Sequence, residues 1–269
     1  MSLSNYTEAA ILSHLLRATA WPKPLALYVA LFTADPGETG SLAQEVTGGS
    51  YARVACGPSD ATWNLPVGGD TTFTNAAAVT FPAPTAAWGD VTHFGICDAS
   101  TGGICLASGA LDTPTTIGSG APATSFAAGE LRLVFSGHLS DALIEAIGTH
   151  LLRTGEWTAP AAIFAGLLTS VAGAGLGAEV AGADYVRKAI GPSTAAWTAP
   201  TDEGGSGNAD YVQWASPTTD WIDAEKVILA DALTAGNTLL TIPLAAVRTL
   251  PLGALPPNFP PGALKVVAN

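Results

Sequence analysis

Apolar residues fall at helical spacing near the start of the chain, at Ile11, Leu12, Leu15 and Leu16, and again at Ile147, Leu151 and Leu152. Steps of three and four put such residues on one face of a 3.6-residue helix, so each run predicts one amphipathic helix. Asn5 is the expected N-cap of the first helix, with Glu8 three residues on as its capping-box partner. Gly155 is the expected stop of the second. The two helices carry a shared motif. Leu3-Ser4, His14-Leu-Leu-Arg17 and Trp21 return as Leu139-Ser140, His150-Leu-Leu-Arg153 and Trp157, each displaced by 136 positions. The chain is therefore a tandem duplication, and each occurrence of the motif opens one module.

Beyond each helix motif the periodicity changes from helix to strand. After a bend at Pro22 and Pro24, and at Pro160 in the second copy, Leu25-Ala-Leu-Tyr-Val-Ala-Leu-Phe-Thr33 and Ala161-Ala-Ile-Phe-Ala-Gly-Leu-Leu-Thr169 read as buried strands. Glu45, Tyr51, Arg53, Gly57-Pro58 and Trp63 match Glu179, Tyr185, Arg187, Gly191-Pro192 and Trp197 at an offset of 134, and Asn75, Phe81 and Trp88 match Asn208, Trp214 and Trp221 at 133. Residues 91–98 and 104–111 predict two strands joined by a Gly102-Gly103 hairpin, repeated by 224–231 and 238–244. A last strand follows Gly129 in one copy and Gly262 in the other. The expected architecture is mainly β (α+β): two tandem β-sandwich-like modules, residues 1–137 and 138–269, each opened by one helix. Around His138, Gly137 hands over directly to Leu139 without a linker, so the modules are expected to sit rigidly side by side.

Composition narrows the functional classes. The net charge is -12 and the ten Lys and Arg residues do not cluster, which excludes the phosphate-neutralising surface that nucleic acid or anionic membrane requires. No apolar run reaches the 18 residues of a membrane span, and no basic segment followed by an apolar one marks a secretory signal. Charged residues are 12% of the chain, about half the roughly 25% of ordinary soluble domains. Two explanations stand side by side: a GC-rich genome, or an outside that is hidden against other subunits. Cys56, Cys97 and Cys105 correspond to Ile190, Ala230 and Thr238, so the module does not need thiols. Cys97 and Cys105 could face each other across the hairpin, and buried free thiols are the expectation for a chain maturing in a reducing cytoplasm.

The candidate chemistry is sparse. His14 and His150 are equivalent and are expected to meet helix-end carbonyls, while His93 and His138 have no ligand partners at metal spacing. Asp90 with Asp223, and Asp98 with Asp231, suit turn capping better than an acid and base facing one glycosidic bond. Gly173-Ala-Gly-Leu-Gly177 lacks the last spaced glycine of a dinucleotide loop. Asp202, Glu203 and Asp210 flank a glycine-rich tip without the alternation of a calcium loop. Six of the seven tryptophans form the matched pairs Trp21/Trp157, Trp63/Trp197 and Trp88/Trp221, a pattern of core packing. Arg17/Arg153 and Arg53/Arg187 are expected in ion pairs or on carbonyls. No catalytic residue, cofactor site or metal site is expected, and no enzymatic activity.

The landmarks of the first copy, Leu3-Ser-Asn-Tyr6 with His14-Leu-Leu-Arg17, Leu27-Tyr-Val-Ala-Leu-Phe32, Glu45-Val-Thr-Gly-Gly-Ser-Tyr-Ala-Arg53, and Trp88-Gly-Asp-Val-Thr-His-Phe-Gly-Ile96 with Phe126-Ala-Ala-Gly129, resemble a family of small single-module proteins from the structural-gene regions of tailed bacteriophages, often labelled tail fibre or structural protein. The second copy departs at Ile222-Asp-Ala-Glu-Lys-Val-Ile228. The resemblance implies a non-enzymatic virion component, assembled in the bacterial host cytoplasm and partnered by other virion proteins. Without heptads or a shaft repeat, the leading expectation is a capsid decoration or cement protein that binds the major capsid protein and self-associates on the particle. The alternative is a tail-fibre or receptor-binding module stacking host carbohydrate on Trp63, Trp88 or Trp221. The partner surface is expected where the copies disagree: loops 34–44 and 170–178, loops 64–74 and 198–207, and the Gly89–Gly95 run.

Overall fold

The computed structural model describes residues 1–67, 70–135, 139–169, 178–201 and 205–268. The first copy runs β1 (Ser2–Leu3), α1 (Asn5–Arg17), β2 (Leu27–Phe32), β3 (Val54–Gly57), β4 (Trp63–Asn64), β5 (Thr72–Asn75) and β6 (Val79–Thr80). It continues with β7 (Gly89–Cys97), β8 (Cys105–Ile117), β9 (Ser125–Phe126) and β10 (Arg132–Val134). The second copy runs α2 (Asp141–Leu152), β11 (Phe164–Thr169), β12 (Lys188–Ala189), β13 (Gly205–Gly207) and β14 (Val212–Gln213). Its last elements are β15 (Trp221–Ala230), β16 (Thr238–Leu250), β17 (Asn258–Phe259) and β18 (Lys265–Val267).

The two copies build the same antiparallel sheets. A large sheet has the order β1-β8-β7-β2-β3 in the first copy and β12-β11-β15-β16 in the second. A small one pairs β10 with β5 and β4, matched by β13 with β18, and a third pairing joins β6 to β9 and β14 to β17. The register repeats too: Leu133 faces Phe73 as Val266 faces Ser206. The hairpin strands are longer than the apolar pattern predicts because each crosses a bulge. Between the pairs Val91–Thr115 and His93–Ala110 the outer strand carries extra residues, as it does between Ala224–Arg248 and Lys226–Pro243.

Both helices form where their spacing predicts, but the caps differ. Ser4, not Asn5, caps α1: its backbone is extended and its carbonyl receives the Glu8 N–H at 3.0 Å. The Ser4 N–H is bound to the Leu106 carbonyl, so the β1 pairing hands the chain into the helix one residue early, and Glu8 is a buried acid rather than a capping partner. Ser140 caps α2 with its side chain on the Leu143 N–H at 3.3 Å. The stop of α2 is Arg153, in extended backbone, rather than Gly155. Its guanidinium is held on the Trp63 carbonyl and on Asp60.

The apolar stripe of each helix joins one core continuous across both copies, in which Leu12, Leu16, Phe73, Ile147, Trp197 and Leu264 all take part. The handover at Gly137 and His138 lies outside the described residues. No described helix is long and apolar enough to cross a membrane.

Candidate functional site

The C-terminal ends of α1 and α2 meet in a seam built from the repeated helix motif. The Arg17 guanidinium donates to the Trp197 carbonyl, and Arg153 donates to the equivalent carbonyl of Trp63. The Ser59 N–H donates to the Leu152 carbonyl at 3.0 Å, and the Ser193 N–H to that of Leu16 at 3.0 Å. His14 Nε2 lies 3.1 Å from the Trp157 carbonyl, and His150 Nε2 lies 3.1 Å from that of Trp21. Each bond appears twice with the copies exchanged. The seam is an isologous interface about a pseudo-two-fold axis, the geometry of a C2 dimer made within one chain.

At that axis the imidazoles of His14 and His150 stack with centroids 6.2 Å apart and planes at 19°. Trp157 sits edge-on to His14 at 4.7 Å, and Trp21 lies 4.7 Å from His150. The histidines thus meet carbonyls, as their helix-end position suggests, but those of the opposite copy as well as that of Thr19. His150 also accepts the Trp157 N–H on Nδ1 at 3.2 Å, an arrangement that suits the neutral Nε2–H tautomer. Burial, followed by the neighbouring His14, lowers its pKa from the ordinary histidine value.

A second repeated cluster ties loop to hairpin. Arg53 forks onto Glu45 at 2.7 and 2.6 Å and turns its remaining nitrogen to the carbonyls of Ala99 and Gly102. Arg187 does the same with Glu179, Ala232 and Ala235. Tyr51 and Tyr185 complete each set by donating to the glutamate and accepting the N–H of Leu31 or Leu167. Burial pushes both phenols up from their ordinary range. Asn75 and Asn208, read in the sequence only as landmarks, are buried clamps: each amide oxygen accepts a backbone N–H, from Leu131 or Leu264, while the amide nitrogen donates to turn carbonyls. These networks tie loops, hairpins and turns together within each copy.

The remaining candidates are dispersed. Asp90 and Asp98 stand at opposite ends of β7, about 26 Å apart at the usual strand rise, far beyond the span of a glycosidase pair. Asp98 and Asp231 each accept a backbone N–H across their hairpin turns. Asp210 caps its own turn through the Tyr211 N–H. Cys97 and Cys105 are register partners on β7 and β8, and all three cysteines are free and buried. Among the described residues no group of three or more His, Cys, Asp or Glu is placed to hold a metal ion. His138, Asp202, Glu203, loop 170–177 and Gly173–Gly177 lie outside the described residues.

The tryptophans do not form a sugar platform. Trp63 and Trp197 are wholly inaccessible, and Trp88 and Trp221 are buried with their indole N–H groups on the Gly49 carbonyl and Asp184. Of the regions where the copies differ, the 64–74 segment contains Phe73, which packs in the seam, and the Gly89–Gly95 run lies in the central strand of a sheet. The 64–74 segment is exposed at Asn64, Leu65, Val67 and Asp70, and the Gly89–Gly95 run is exposed at Gly89 and Asp90 and buried at Val91 and Phe94.

In the second copy a cleft of about 380 Å³ lies between β16 and the β17–β18 region, walled by Ile242, Leu244, Ala246, Arg248, Phe259 and Leu264. In the first copy Phe94 packs on Phe126 at 5.0 Å, and Met1 lies over Gly109 and donates its amino group to the Arg132 carbonyl. At the matching positions the second copy has Val227 for Phe94 and Ala224 for Val91. Its bulge reads Leu244-Ala-Ala-Val247 where the first reads Leu111-Asp-Thr-Pro114. Laying one copy over the other at an offset of 133 exposes this change, but strand periodicity does not, because the bulge breaks it.

No curated protein matches the sequence. The model of a family described as Podophage GP4 fiber I protein gp80 matches residues 2–134 and again residues 138–267, so the chain belongs to that family and carries its unit twice.

Proposed function

We propose that the protein is a non-enzymatic structural component of the fibre apparatus of a tailed-phage virion, acting as a globular block that docks on other virion proteins. The observation that carries this reading is the family match over both copies. The geometry supports it in a second way. The polar clusters shared by the copies hold the seam and the hairpins together, and the tryptophans that a carbohydrate-stacking module would expose are buried.

Compact shape and low surface charge favour a second reading, the capsid decoration protein bound to the major capsid protein. One experiment separates the two: gold labelling of a tagged chain on purified particles, followed by electron microscopy. Label at the tail supports the fibre reading, label over the shell lattice replaces it with the decoration reading, and a particle without the chain defeats both. Hydrolysis of host polysaccharide by the purified protein would overturn its non-enzymatic character.

A further inference from the structure

Cys97 ends β7 and Cys105 begins β8, and the two are register partners across the antiparallel hairpin, just past the register shift at Ile96. On the turn side the Asp98 N–H donates to the Ile104 carbonyl at 3.1 Å, so the ladder continues beyond the pair. Register partners in such a ladder have Cα atoms about 4.5–5.5 Å apart, inside the roughly 4.4–6.8 Å that a disulfide spans. Both side chains pack with Ala30 and Phe32, and the two thiols bond to each other. Gly95 leaves the space for this, since a Cβ there would lie 2.8 Å from the Cys105 sulfur. The 34–44 loop lies over the pair: a Cβ on Gly40 would meet the Cys105 Cβ at 3.2 Å, and Leu42 packs against the same cluster. The second copy has Ala230 and Thr238 at these positions, so the shared fold does not require two sulfurs there.

We propose that Cys97 and Cys105 are a redox-active dithiol, a modification site that hydrogen peroxide closes to a cross-strand disulfide in the folded protein. The sulfur of one cysteine attacks an oxygen of the peroxide, the O–O bond breaks, and the departing oxygen leaves as water with the thiol proton, which gives a sulfenic acid. The sulfur of the other displaces that hydroxyl: the S–S bond forms, the S–O bond breaks, and a second water carries away the remaining thiol proton. Two thiols lose two electrons and the peroxide is reduced to two waters. The Arg53 guanidinium, which holds the intervening turn by the Ala99 and Gly102 carbonyls, favours the thiolate that attacks. Both sulfurs are buried, and peroxide reaches them when the 34–44 loop lifts, a local opening suited to a segment in which only Pro36 is buried. The bond then locks the turn on which Arg53 is anchored. This chemistry does not depend on where on a virion the chain sits.

The test treats the reduced, purified full chain with hydrogen peroxide at neutral pH, then alkylates it in denaturant and maps the peptides by mass spectrometry. Of the three free thiols, the wild type should keep only Cys56, with Cys97 and Cys105 joined, and its melting temperature should rise by about 5 °C, as for a short closed loop. Cys56→Ala should close in the same way. Cys97→Ala, which installs the residue of the second copy, should show no rise in melting temperature and should leave Cys105 as a sulfenic acid that dimedone captures. Because the wild type carries the decisive measurement, the proposal stays open to refutation even if a variant fails to fold. Retention of all three thiols after treatment, a bond that includes Cys56, or closure in urea-unfolded protein only would overturn it.

Discussion

Phe73 on β5 closes directly over Gly148 on α2, and a Cβ at position 148 would lie 2.1 Å from its ring. The equivalent positions on the other side of the pseudo-two-fold axis are Ser206 on β13 and Leu12 on α1, and α1 lies against β13. A large residue on the first sheet thus meets a small one on the helix, and the order is reversed in the mirror contact. Pairing two first copies would set Leu12 against Phe73, so the divergence of the repeat makes the copies complementary to each other and not to themselves.

Gly148→Leu is therefore expected to destabilise the protein by about 1–3 kcal/mol or more through overpacking, and Phe73→Ser by about 3–5 kcal/mol through the cavity it leaves. Combined, they reproduce the opposite side of the seam and should recover much of the loss. Urea unfolding of the four proteins of this cycle measures the coupling. Simple additivity would refute the complementarity.

Glu8 occupies the position of Ile144 and is buried close to Glu38. Burial first, then the Glu38 charge, raises its pKa from 4.5 to about 7. A carboxyl raised on folding adds stability in its protonated form, fully present below 4.5 and lost as pH climbs through about 7. Glu8→Gln should raise the melting temperature at pH 8 by a few degrees, roughly the effect of 1 kcal/mol, and leave it almost unchanged at pH 4. An equal gain at both values would contradict this.

His150 works in the opposite direction. Its folded pKa lies below 6.5 because of burial and His14, so its contribution is present above 6.5 and fades as pH falls through the lowered value. Lys23 disfavours and Glu156 favours its charge from nearby. Tryptophan emission from Trp21 and Trp157 should report loosening of the seam on acidification. His150→Gln should flatten that transition, and an unaltered profile would remove His150 as its source.

The paired Arg–Glu forks allow an internal calibration. The side chain of Arg53 is 1% exposed and that of Glu45 15%, against 9% and 30% for Arg187 and Glu179. Removing one partner of a buried pair costs about 3–5 kcal/mol, whereas exposed pairs cost far less. Lysine keeps the charge but not the fork. Thermal melts should rank Arg53→Lys as more damaging than Arg187→Lys, and the reverse order would reject burial as the deciding factor.

The helices, the buried strands, the hairpins and the duplication itself were legible in the sequence because each is written in short-range periodicity or in residues that recur at a constant offset. The sequence alone also placed Arg53 and Arg187 in ion pairs or on carbonyls and the matched tryptophans in packing positions, since retention in both copies marks what the fold requires. Only the tertiary structure decided what the repeated helix motif does. His14, Arg17, Trp21 and their equivalents read locally as the end of a helix, yet their main partners lie more than a hundred residues away or close to it, in the opposite copy. The cleft was hidden for a related reason. Its walls come from β16, β17 and the turn before β18, segments that only the tertiary fold brings together. A void is a property of packed volumes in three dimensions, and no spacing along the chain records it.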